Sequence, residues 1–161
     1  MARLLIAILV LLFGLCQAIQ AETNSSLSRL LNQNEAPEGV VFEIVTGDQD
    51  ALDWAIPRTR HYIQQLRHRF PDLPIAVVTH GQEMFTLQKK NEHGSQAVHQ
   101  QVKSLVEQQH VTLHVCGTYA GWKGLAEEDF PDYVDVAAAG PAQINDYLAL
   151  GYIKILITAE D

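Results

Sequence analysis

The residues best suited to chemistry lie together in one stretch, His110 to Leu125. An apolar, partly β-branched run, Val111-Thr112-Leu113-His114-Val115, ends in Cys116, and Gly117 follows at once. The pattern predicts a strand and then a short helix. The thiol would sit where the strand's carboxyl end meets the helix's amino end. Unpaired N–H groups and the helix dipole at such a junction favour thiolate over thiol. Ligand sites in open parallel sheets also lie beyond the carboxyl ends of strands. Cys116 is therefore the candidate nucleophile.

Two other predicted strands end in polar residues, at Thr46-Gly47-Asp48 and Thr79-His80-Gly81. In a parallel sheet these ends share one rim with Cys116. His80 is the candidate acid/base or orienting group; its plain alternative is an imidazole bonded to backbone. His114, two residues before Cys116, lies on the same face of its strand. It is read either as an aid to the thiol or as a core histidine with its partners satisfied. Gly117 and Thr118 supply backbone donors for a substrate, and Lys123 is a cation for a sulfur anion, with a plain surface lysine as its alternative. Tyr119 and Trp122 wall a pocket or belong to the core. His114, Cys116 and His80 also form a soft and borderline ligand set for zinc or copper. No CxxC and no HxxxH helix motif accompanies them, so neither a metal nor a cofactor is assigned.

The elements that must position these residues are legible as an alternation. Val40–Thr46, Ile75–Thr79, Val111–Val115, Val134–Ala137 and Tyr152–Ile157 read as strands. Between the first two, Leu52, Ile56, Thr59, Ile63, Leu66 and Phe70 recur at spacings of four and three, one buried helix stripe. Pro57 is tolerable there only within the first turn. Arg58, Arg60, His61, Arg67, His68 and Arg69 form a basic row, read as a solvated face or as a groove for an anion. A short helix is expected around Met84 and Leu87. Ser95 is the expected cap of a helix buried through Val98, Val102, Leu105 and Val106. Gly140-Pro141 opens the last helix and Gly151 closes it. Strands alternating with helices predict an α/β fold, a three-layer α/β/α sandwich with a five-stranded, mostly parallel sheet.

Composition sets the address. Arg3 is followed by an apolar run from Leu4 to Leu15 and then by small and polar residues through Ala21. That order predicts a signal peptide over residues 1–21, too short to span a bilayer. A flexible leader with a short helix near Leu27–Leu31 is expected over 22–39, and one domain over 40–161. The expected location is periplasmic or secreted, with no stable membrane insertion after cleavage. The chain carries a formal charge of −8, and cleavage would remove Arg3 and no acid. So acidic a surface argues against nucleic acid as a partner. Cys16 would leave with the signal, so Cys116 could form no internal disulfide. A lone thiol is then buried and inert, paired between chains, or reactive.

The chain resembles the DsrE/DsrF-like proteins, which include the YchN-like group, over about Val40 to Ile157. Three pieces carry the likeness. They are Ile75–Gly81, ending in His-Gly; Val111–Leu125, with Cys116 and Lys123-Gly124; and the Gly151-Tyr152 turn into the last strand. The resemblance implies the three-layer fold and homo-oligomers, often trimers or hexamers. It also implies that Cys116 carries sulfane sulfur as a persulfide between donor and acceptor proteins or small sulfur anions. A Gly after the Cys and an export signal depart from the best-known carriers. Two other expectations stand beside it: a non-catalytic binding or assembly module with an inert cysteine, and a small metal-binding protein.

Overall fold

The computed structural model describes residues 26–159, and the expected signal peptide lies outside them. Helix α1 occupies 26–31. The later elements are β1 (Gly39–Ile44), α2 (Leu52–Arg69), β2 (Ile75–Thr79), α3 (Gln96–Gln109), β3 (Thr112–Cys116), α4 (Gly117–Trp122), β4 (Asp135–Ala137), α5 (Gly140–Ala149) and β5 (Tyr152–Leu156). The strands form one all-parallel sheet in the order β4-β3-β2-β1-β5. The expected α/β sandwich is the observed fold. Among the described residues, no helix is long and apolar enough to cross a membrane.

The two faces of the sheet are covered unequally. Val40, Phe42, Val77 and Leu113 pack with the α2 stripe, with Val98, Val102 and Leu105 of α3, and with Ala120 of α4 in one large core. The opposite face has a much smaller core, in which Val41, Ala76 and Val78 meet Ile144 and Tyr147 of α5. Period-two alternation along the strands separates the two sets.

Several expectations need correction. The leader from residue 26 on is not free, and its expected short helix is present: Leu27 and Leu30 are buried in the large core, and Arg69 donates to the Gln33 carbonyl at 2.6 Å. The basic row is solvated only in part: His61, His68 and Arg69 are exposed, whereas Arg58, Arg60 and Arg67 are half-buried. Arg58 donates to the Thr158 carbonyl and Arg67 to the Gln109 carbonyl, so three arginines tie α2 to three other segments. Pro57 lies inside α2 rather than in its first turn. It and Asp53 are both exposed, so water can serve the carbonyl that the proline cannot. Ser95 is the residue before α3 but makes no side-chain cap bond. The short helix expected around Met84 and Leu87 is present, as the 3-10 helix Gln82–Leu87.

That 3-10 segment carries Glu83, which has no exposed surface. Its Oε1 accepts from the Thr79 hydroxyl at 2.7 Å and from the Gly81 amide at 2.8 Å; its Oε2 accepts from the Thr46 amide at 2.9 Å. One carboxylate thus joins the exits of β1 and β2. Burying it is tolerable because all three bonds are charge-assisted. Glu83→Ala strands three donors and should destabilise the protein by on the order of 3 kcal/mol or more. Glu83→Gln, which keeps one acceptor oxygen, should cost less. Urea denaturation of the two variants checks the ranking.

Candidate functional site

Cys116 closes β3 and is the residue before α4. Its Sγ accepts the Tyr119 amide at 3.4 Å, the bond that a helix-capping side chain makes. β3 lies beside β4, and the chain leaves these two strands in opposite directions. α4 turns toward the large core, whereas α5 crosses to the other face. Diverging exits of this kind mark where open α/β sheets form a crevice. Here the crevice is bridged. Thr118 gives both its amide (3.0 Å) and its hydroxyl (2.8 Å) to the Ala138 carbonyl. A Cβ on Gly117 would lie 2.9 Å from the Ala137 carbonyl oxygen, so only glycine allows this approach.

The sulfur is not at an open mouth, as the sequence led us to expect. Cys116 is 5 % exposed and packs within the large core. A cavity of about 630 Å³, lined by residues such as Arg67, Pro71 and His110, lies at the opposite, amino rim of the sheet.

The other candidates divide. The β2–β3 ladder ends at Thr79↔Val115, one residue before His80 and Cys116, so both lie at the carboxyl rim of neighbouring strands. The His80 ring, however, bonds to Glu43: Nε2 lies 3.0 Å from Oε1. His114 has its own partners, with Nε2 2.9 Å from the Tyr147 hydroxyl and Nδ1 3.9 Å from Asp135. Burial chiefly lowers its pKa, with Asp135 opposing, so it is a satisfied core histidine and not an aid to the thiol. Thr118 has no free donor for a substrate. Lys123 lies past the carboxyl end of α4, with Nζ 5.9 Å from the Tyr119 ring centroid, and does not stand at the sulfur. Tyr119 bridges Phe85 and Trp122, and Trp122 is 78 % exposed. Among the described residues, no group of three or more His, Cys, Asp or Glu stands close enough to hold a metal ion.

Sequence reasoning missed a charged cluster at the carboxyl rim. Glu43 on β1 bonds His80 through one oxygen and the Lys154 ammonium on β5 through the other, at 2.6 Å. Glu43 and His80 side chains are each 13 % exposed, and Lys154 is 41 % exposed. The signal was available: Glu43 is the one charge in its strand, and Lys154 is the one charge in the strand that pairs with it. The His80 bond holds the Glu43 carboxyl down at about 2, with Lys154 adding and burial opposing. Gly140 backs the same imidazole, since a Cβ there would lie 2.6 Å from the His80 Cβ.

No protein-family model matches the chain, and no curated protein matches it. Among solved structures it is similar to the protein of unknown function MTH1491 from Methanobacterium thermoautotrophicum. The likeness has a TM-score of 0.58 and 21% identity, over 73% of this chain and 96% of that one. It shows a shared fold.

The Glu43 cluster makes stability depend on acid. Its carboxyl is lower in the folded chain than the ordinary 4.5, so its contribution is complete above that value and is lost as pH falls toward about 2. His114 acts in the same direction from about 6.5 downward, because the unfolded chain takes up a proton that the buried ring resists. Glu43→Gln should lower stability by roughly 2–3 kcal/mol near neutrality, a figure discounted for the exposed lysine. The gap between variant and wild type should close at about pH 2, where the wild-type carboxyl also protonates. Urea melts across that range give the test.

Proposed function

We propose that the protein is an exported sulfur carrier of the DsrE/DsrF-like kind, with Cys116 holding sulfane sulfur as a persulfide. The observation that carries this reading is the bond from the Tyr119 amide to the Cys116 Sγ, at a strand-to-helix junction between diverging strands. An N–H aimed at sulfur favours the anion, whether thiolate or persulfide. The step balances without an oxidant. The Cys116 thiolate attacks the terminal sulfur of a donor persulfide; the Sγ–S bond forms as the donor's S–S bond breaks. The donor leaves as a thiolate and takes up a proton. An acceptor thiolate then removes the outer sulfur and restores Cys116. His80 is the acid/base or orienting group in this scheme. Donor and acceptor are proteins or small sulfur anions, and the carrier works as a homo-oligomer in the periplasm or outside the cell.

A second reading, a binding or assembly module with an inert cysteine, draws on the 5 % exposure of Cys116. Such burial means that a donor can reach the sulfur only when the rim yields.

Intact mass after treatment with a small persulfide donor separates the two. The carrier reading expects one added sulfur on wild type and none at this site in Cys116→Ala. Equal uptake by both proteins, or none by either, favours the inert module.

A further inference from the structure

Among the described residues one short helix covers the second face of the sheet, and it is held there by little. The buried residues of α5 are Gly140 and Ile144. Ile144 meets Val41, Ala76 and Val78 in the small core, and Ala139, just before the helix, gives its first turn no capping side chain. A helix of this length is marginal by itself in water, so it persists through its contacts. A glycine stands at each end, Gly140 and Gly151, the latter with φ of 86°. The connections to β4 and β5 can therefore absorb a movement of the helix between them.

One polar bond adds to the apolar grip. The Tyr147 hydroxyl lies 2.9 Å from His114 Nε2, and the two rings are 5.8 Å apart. Asp135 of β4, a carboxylate that only accepts, lies 3.9 Å from Nδ1. The neutral ring therefore keeps its proton on Nδ1, and Nε2 accepts from the tyrosine. The atom that takes up the next proton is thus the atom that holds α5. The hydroxyl can turn to accept from an imidazolium, but a charge then lies under the helix with only a solvated carboxylate to balance it. Burial lowers the His114 pKa, with Asp135 opposing, so the ring binds a proton better once the helix has lifted. The other titratable groups of this face act differently. Tyr152 of β5 packs its ring 4.8 Å from that of Tyr147. Farther along, Glu43 is paired with Lys154 and His80. His80 backs against Gly140, but a proton on it strengthens its bond to Glu43 and does not loosen α5.

We infer that α5 is an acid-released cover: a solvent proton taken up at His114 Nε2 frees Tyr147, and the helix lifts from the second face while the large core stays folded. The uncovered face presents Val41, Ala76 and Val78 beside Glu43 and His80. The device stands independently of the carrier reading, since neither Cys116 nor a sulfur donor takes part in it.

The test is native-state hydrogen exchange of the full chain, read by peptide mass and corrected for the pH dependence of the intrinsic rate. Peptides over α5 report the cover, and peptides over α3 report the large core. Between about pH 7.5 and about pH 5, a range that spans imidazole titration, α5 should lose about fivefold in protection, and α3 should change by less than about twofold. His114→Gln, which can still accept from Tyr147 but does not titrate, should hold α5 protection constant across the range. Tyr147→Phe should lower α5 protection about threefold at both pH values and leave α3 unchanged. Asp135→Asn, at an exposed site, removes the carboxylate that opposes release and should deepen the wild-type fall to about tenfold. It carries the test if His114→Gln does not fold. Four results overturn the inference: equal α5 protection at both pH values in wild type, loss of α3 protection together with α5, a wild-type pH dependence retained by His114→Gln, or an unaltered fall in Asp135→Asn.

Discussion

Glu83, a carboxylate with no exposed surface, accepts from the amides of Thr46 and Gly81 and from the hydroxyl of Thr79. Its position on a 3-10 segment just past β2 lets one side chain clamp the exits of two central strands. Without that clamp the segments after β1 and β2 would have to satisfy their donors in water, and the register beyond Ile44↔Thr79 would be free to open. His80 lies between the clamped Thr79 and Gly81. The geometry of the charged row therefore depends on a residue that takes no part in it.

The unequal faces explain where polar chemistry can collect. The face beneath α2 and α3 is filled with aliphatic and aromatic side chains. Among the described residues α5 alone covers the other face, whose sheet residues include Glu43, Lys154 and His114. Polar groups there remain partly wetted, so an ion pair costs less desolvation than it would in the large core. Cys116 is the exception on its rim, because its sulfur belongs to the large core while its strand neighbours carry the charges.

Much of the fold was legible because its signals are local. The spacing of four and three in α2, the continuous apolar run of β2 and the Gly-Pro opening of α5 each name an element without reference to any other. The strand-to-helix junction at Cys116 was legible for the same reason. What failed was long-range. A row of arginines looks solvated until the carbonyls it reaches, 36 to 100 residues away, are known. Burial of the sulfur depends on how α4 packs, which no spacing encodes. His80 was found by type and position, but its partner Glu43 lies 37 residues away, and residue type alone does not join the two.

The strand order carries a consequence for how the molecule is made. β1 leaves the ribosome before the other described strands, yet it lies between β2 and β5. Its second ladder, and the Glu43–Lys154 contact spanning 111 residues, cannot close until β5 has emerged. Until then a nascent chain presents an apolar strand with one bare edge and an uncompensated acid on it, a state open to wrong pairing. The loop-closure entropy of so distant a contact also places it late in any folding route. Vectorial emergence thus leaves β5 as the piece that completes this sheet, and the basic side chain it brings is the counterion its neighbour has lacked.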